Sequence, residues 1–255
     1  MGAGHAHALY VHEHTALHRL APEVKVAAAF LFVLGVALTP RRAVWAFAVD
    51  LGVLVLVAYL ARLRPRFIVA RATVIVPFLL LALMVPFVAS GPRIEVMGLS
   101  VSEEGLWGAW NIFAKASLGV TTSIILAGTT EIAEILRGLS RLRVPVAFTA
   151  IAGFMVRYLE VIAGELRRMR VAMTARGYDP RWLWQARPIA ASAGALFIRS
   201  YERGERVHAA MAARGYTGVM PDLGHRRAGS AEWLKAALVP AVAMIGALVG
   251  ALVLA

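Results

Sequence analysis

The sequence predicts an all-α integral membrane protein: a bundle of transmembrane helices plus two long cytoplasmic helices that end in the same phrase. Three observations predict it. Sixty per cent of the 255 residues are hydrophobic and only 16% are charged, with several apolar runs of bilayer-spanning length. The arginines gather between those runs rather than within them. Finally, Met173-Thr174-Ala175-Arg176-Gly177-Tyr178 returns as Met211-Ala212-Ala213-Arg214-Gly215-Tyr216, each time at the end of a helical pattern.

Charge and cysteine usage remove several classes of function. The net charge is +12, and all but three of the 27 cations are arginine. Because they alternate with membrane-grade segments, topology and anionic headgroups explain them before nucleic acid does. The absence of cysteine excludes disulfides, thiol catalysis and thiolate metal sites. No His-Glu-x-x-His zinc helix and no Gly-x-Ser-x-Gly elbow is present, so a membrane protease or transferase lacks its machinery.

Residues 1–22 form a His-rich N-terminal segment with His5, His7, His12, His14 and His18. Such pairs can touch soft divalent metals, but no carboxylate fixes a site, and the segment does not resemble a cleavable signal. Residues 23–128 read as the membrane bundle of about four spans. The first is Pro22–Thr39, opened by a proline and closed at Pro40-Arg41-Arg42. The second, Ala43–Ala61, carries Asp50. Arg62, Arg64, Arg66 and Arg71 surround Pro65 before the third span, Phe67–Ala89, where Pro77 and Pro86 predict kinks. Residues 90–105 read as an acidic loop with Glu95, Glu103 and Glu104, and Leu106–Gly128 as a fourth span with Asn111 and Lys115 inside.

The positive-inside rule puts the Arg62–Arg71 loop in the cytoplasm and the acidic loop outside. Arg41 and Arg42 then lie outside, against the rule. Everything from residue 129 to 230 falls on the cytoplasmic side, and residues 231–255 hold a last span, Trp233–Ala255.

Within 129–230, Thr129-Thr130 offers an N-cap to a short helix with Glu131 and Glu134 in its first turn, a surface helix ahead of Pro145. From Val146 an apolar stripe of Ile151, Met155, Tyr158, Ile162, Leu166, Met169 and Met173 follows 3-and-4 spacing. A helix over 147–176 is roughly 45 Å long, its first half at bilayer depth and its second half cytoplasmic. Trp182 and Trp184 mark an interfacial turn, and a second helix runs from about Pro188 to Arg214. Arginine before a closing glycine is an ordinary helix cap. Duplication with small alanines before each arginine points further, to two helix tips that enter grooves, where arginine can grip a carboxylate in bidentate fashion. Two equivalent tips suit a twofold dimer.

The double Ala-Arg-Gly resembles the transmembrane T component of energy-coupling factor (ECF) transporters, as do Thr129-Thr130 with Leu142-Arg143-Val144-Pro145 and the opening Leu17-His18-Arg19-Leu20-Ala21-Pro22-Glu23-Val24-Lys25. The likeness covers almost the whole chain and is nearest to the cobalt-uptake, CbiQ-like branch. It implies that Ala175-Arg176-Gly177 and Ala213-Arg214-Gly215, at the ends of two cytoplasmic coupling helices, dock two ABC ATPase subunits (a CbiO-like dimer). It implies a separate substrate-binding membrane subunit, CbiM-like and accompanied in some systems by a small CbiN-like chain, and a place in the bacterial inner membrane. The T component binds no nucleotide, uses no cofactor and is no enzyme. Cobalt(II) uptake feeding cobalamin synthesis is the expected role; nickel or a vitamin as substrate, or a conventional ABC permease subunit, are the alternatives.

Asp50 and Lys115 stand as candidate intramembrane polar contacts, pairing with each other or touching the substrate subunit. Met155, Met169 and Met173 are expected to pack between long helices. Glu160, Glu165, Glu202 and Glu205 are expected to partner neighbouring arginines rather than act as catalytic acids.

Overall fold

A computed structural model describes residues 15, 17–90, 92–96, 99–179, 182–218 and 228–254, and the helical architecture holds throughout them. The helices are α1 (Pro22–Leu38), α2 (Val44–Leu60), α3 (Pro65–Arg71), α4 (Val76–Val88), α5 (Glu103–Thr129), α6 (Ile132–Arg141), α7 (Val146–Ala175), α8 (Arg187–Ala212) and α9 (Ser230–Leu254). Among the described residues four stretches are long and apolar enough to cross a membrane: Pro65–Val88, α5, α7 and Ser230–Val253. Helices α1 and α2, with 17 residues each, are about 26 Å long and lie at the lower bound for crossing.

The chain divides into two compact units, the first over Arg143–His225 and the second over Leu9–Leu142 and Arg226–Ala255. Helix α6 stays with the bundle rather than with the long helices.

The bundle unit is held by α9 returning to pack on α1 and α2. Small residues make this approach possible, as is usual between membrane helices. A Cβ on Gly35 of α1 would lie 2.9 Å from the Ala243 Cβ of α9, and one on Gly250 of α9 would lie 3.0 Å from the Ala43 Cβ. Phe32, Val36, Phe47, Leu54, Ala114, Leu118, Ile125 and Ala243 form the buried centre. Phe47 meets Trp110 edge-on, with ring centroids 6.3 Å apart.

Two ends of this unit can be told apart by their contacts. At one end lie the first turn of α1, the last turn of α5, α6 and the chain just ahead of α9. Here Lys25 donates to the Thr129 carbonyl (2.9 Å) and the His18 carbonyl (3.2 Å), placing a cation on the unpaired carbonyls of the α5 terminus. Glu23 accepts from Arg141 Nη1 at 3.2 and 3.3 Å and from the Ala228 N–H at 3.0 Å. At the other end, Arg41 and Arg42 reach Glu104 at 2.5 and 3.5 Å. The arginine pair that the charge rule would leave outside is thus neutralised in part by the first turn of α5.

Four expectations are corrected. The 90–105 segment holds a β-hairpin, Arg93–Val96 paired antiparallel with Leu99–Ser102, so it is not merely loop. The third span, helical over Pro65–Val88, is not uniformly α: a 3-10 turn, Ala72–Ile75, joins α3 to α4, which has Pro77 in its first turn, where proline lacks nothing, and Pro86 inside it. Thr129 and Thr130 do not cap α6. Thr129 is the last residue of α5, its hydroxyl bonding back to the Ile125 carbonyl (2.8 Å), and Glu131 occupies the N-cap position without a side-chain bond. Helix α6 is also no free surface helix, since Gly138 packs on Pro22 and Glu23, where an added Cβ would lie 3.0 Å from the backbone.

Candidate functional site

The first unit contains an antiparallel pair of helices, α7 and α8. Glu165 of α7 takes Arg199 at 2.9 Å and Arg203 at 3.6 Å from α8, and Arg168 at 3.7 Å from its own helix. Nearer the turn, the Ser192 hydroxyl donates to Met173 Sδ at 3.4 Å, and the Tyr178 hydroxyl donates to the Gln185 carbonyl. Glu165 is therefore an inter-helix clasp, and Glu202 pairs with Arg206 along α8 at 3.8 Å. No residue of either helix is buried within this chain. The apolar stripe of α7 is correspondingly open: Ile151, Met155 and Leu166 are exposed, so Met155 does not pack between helices, whereas Met173 does touch α8.

Both repeated phrases close their helices in one geometry. At α7, the Gly177 N–H donates to the Thr174 carbonyl (2.9 Å) and the Tyr178 N–H to the Met173 carbonyl (3.1 Å). At α8, the Gly215 N–H donates to the Ala212 carbonyl and the Tyr216 N–H to the Met211 carbonyl, both at 3.0 Å. This is a Schellman motif in each copy, and Gly177 (φ +78°) and Gly215 (φ +82°) supply its left-handed residue. The motif calls for an apolar pair three positions before the cap and one beyond the glycine; methionine and tyrosine occupy those places here. Met and Tyr are half-buried in both copies, while Ala-Arg-Gly is exposed in both. The repetition of Met and Tyr thus belongs to the cap, a role the sequence pattern alone had not separated. What capping does not require is the alanine and the arginine.

Arg176 and Arg214 have no ion-pair partner among the described residues, whereas Glu165, three turns back along α7, gathers three other arginines. Because α7 and α8 run antiparallel, the two tips do not sit side by side. Gly177 lies by the start of α8 and Gly215 at its end, so α8, with 26 residues, separates them by about 39 Å.

Asp50 and Lys115 are not brought together. Lys115 Nζ donates to the Ala37 carbonyl of α1 at 2.7 Å, and Asp50 is 1% exposed with Oδ2 lacking a hydrogen-bond partner among the described residues. His5, His7, His12 and His14 lie outside the described residues. His18 Nδ1 is 2.8 Å from the Thr15 hydroxyl, and among the described residues no cluster of histidines and acids is placed to hold a metal ion. The Glu23–Arg141 and Arg41–Glu104 pairs escaped sequence reasoning. Glu23 stands in the opening phrase that carries the resemblance, but nothing in its neighbourhood names a partner 118 residues away.

A family model described as CbiQ, cobalt transport protein, matches residues 13–224, which include both tips. The cobalt transport protein CbiQ of Rhodobacter capsulatus is 33% identical over 186 residues, 70% of this chain and 74% of its own. A fused cobalt transport protein, CbiMQ, of Methanocorpusculum labreanum is 28% identical over 128 residues, 50% of this chain and 21% of its own. An uncharacterized protein of Methanocaldococcus jannaschii is 22% identical over 211 residues, 79% of this chain and 72% of its own. With apolar helices of spanning length and a match over most of its residues, this multi-pass membrane chain belongs to the CbiQ family of cobalt transport proteins.

Proposed function

We propose that the chain is the T component of an ECF-type importer for cobalt(II), serving cobalamin synthesis. In this reading Arg176 and Arg214 dock two ABC ATPase subunits on the cytoplasmic side. Those subunits hydrolyse the ATP; the chain itself carries out no chemistry and transmits their motion to a separate substrate-binding membrane subunit. The observation that carries the reading is the pair of alike helix ends, each presenting an exposed Ala-Arg-Gly whose arginine has no ion-pair partner among the described residues. A guanidinium held at a rigid tip, beside alanines small enough to let a wall approach, suits a narrow acidic or carbonyl-lined groove. A separation of about 39 Å fits two pockets on two subunits better than two sites in one pocket. The fused CbiMQ relative supports a CbiM-like chain as the membrane partner.

The test is co-purification with the ATPase pair, together with cobalt and nickel uptake by the reconstituted complex. Arg176→Glu and Arg214→Glu are each expected to lower ATPase retention and uptake by about tenfold or more, as for the loss of a charged anchor. Wild-type retention and uptake in both variants would remove the docking role. Nickel uptake without cobalt uptake would reassign the cargo.

A further inference from the structure

The main chain leaves the bundle unit for α7 after Leu142 and is back in the bundle unit by Ala228. Both crossings are tied to one carboxylate. Arg141, the last residue of α6 and two positions before the first crossing, holds both oxygens of Glu23 through Nη1 at 3.2 and 3.3 Å. Ala228, two positions after Arg226, donates its backbone N–H to Glu23 Oε1 at 3.0 Å. Glu23 is 5% exposed, and its own backbone is pressed against Gly138 of α6. A charge pair shielded from water in this way is screened by salt far less than a surface pair.

From Glu23 the path into the bundle is continuous. Lys25, two residues on, holds the end of α5 through the Thr129 carbonyl. Further along α1, Gly35 is in close contact with Ala243 of α9. Peptide linkers left free would absorb a displacement by rotating about φ and ψ. On the α7 side only residues 142–145 lie between the clamped Arg141 and the helix, so little chain is left to absorb one.

We infer that Glu23 is the transmission anchor of the coupling hairpin: it fastens both roots of the α7–α8 unit to the first turn of α1, so that movement of the hairpin is delivered to the membrane helices. Glu23 is a positioning residue, acting through Arg141 and Ala228, and the inference rests on the coupling reading proposed above. Loss of the clamp leaves Arg176 and Arg214 untouched. It should therefore separate ATP hydrolysis from transport without releasing the ATPases.

The experiment uses the complete complex in vesicles, with cobalt(II) uptake and phosphate release measured on the same samples. In Glu23→Gln and in Arg141→Gln, ATPase retention is expected to stay at the wild-type level. Cobalt taken up per ATP hydrolysed should fall by about tenfold, within the range typical of coupling between sites. The double variant should be no worse than either single, because both remove one interaction. Unchanged uptake per ATP in either variant with normal ATPase retention overturns the inference, and so does additive loss in the double. Failure of the wider reading looks different: the wild-type chain itself would retain no ATPase.

Discussion

Arginine and glycine contribute different things at the two helix tips, and substitution can separate them. Glycine at 177 and 215 is demanded by φ of +78° and +82°, although open space surrounds both α-carbons. Alanine there would cost about 1–2 kcal/mol of backbone strain per site. Gly177→Ala and Gly215→Ala are expected to fray the last turn of their helices, seen as faster amide exchange at Tyr178 and Tyr216, whose N–H groups close the motif. Arg176→Ala and Arg214→Ala should leave that exchange unchanged while weakening ATPase retention. Slower or equal exchange in the glycine variants would refute the capping account. At this scale the sequence was informative where one residue type serves one backbone need. It was silent where a side chain finds its partner far along the chain, as Glu23 finds Arg141 and as Arg41 finds Glu104.

Helices were readable from apolar runs closed by proline and glycine, and the observed bounds of α1, α2, α7 and α8 fall within a residue or two of those expected. The misses have a common cause, competition between two local structures of similar stability. The four-residue strands of the 93–102 hairpin are too short to show alternation. Thr129 could cap the following helix or extend the preceding one, and its back-bond to Ile125 chose the latter. Which helices pair could not be read at all, since α1 and α9 meet through Gly35 and Ala243, residues without a pattern of their own. That contact makes a prediction for the element. Gly35→Val should force α9 away from α1 and destabilise the bundle by about 1–3 kcal/mol. The thermal unfolding midpoint in detergent would fall accordingly, while Gly52→Val, where nothing lies within 4 Å, should leave it unmoved.

For the whole molecule, the two ends of the bundle unit give the membrane orientation a direct test. Arg41, Arg42 and Glu104 share one end, whereas Glu23, Arg141 and Thr129 share the other. The chain has no cysteine, so a single introduced thiol reports without background. Arg42→Cys should react with an impermeant maleimide added to intact cells, and Arg137→Cys only after the membrane is opened. The reverse pattern would invert the topology and place the arginine tips on the wrong side for ATP.

The length of α8 has a mechanical meaning. A helix bends and tilts far more readily than it stretches, so 26 residues act as a ruler between the two arginines. If two ATPase subunits held its ends, as proposed above, they could change the spacing between their grips only by bending it, and would otherwise swing it. Under the proposed docking, a symmetric closing stroke is thereby converted into rotation of a rigid rod, and rotation is a motion that a helix pair rooted at one carboxylate can carry into a membrane.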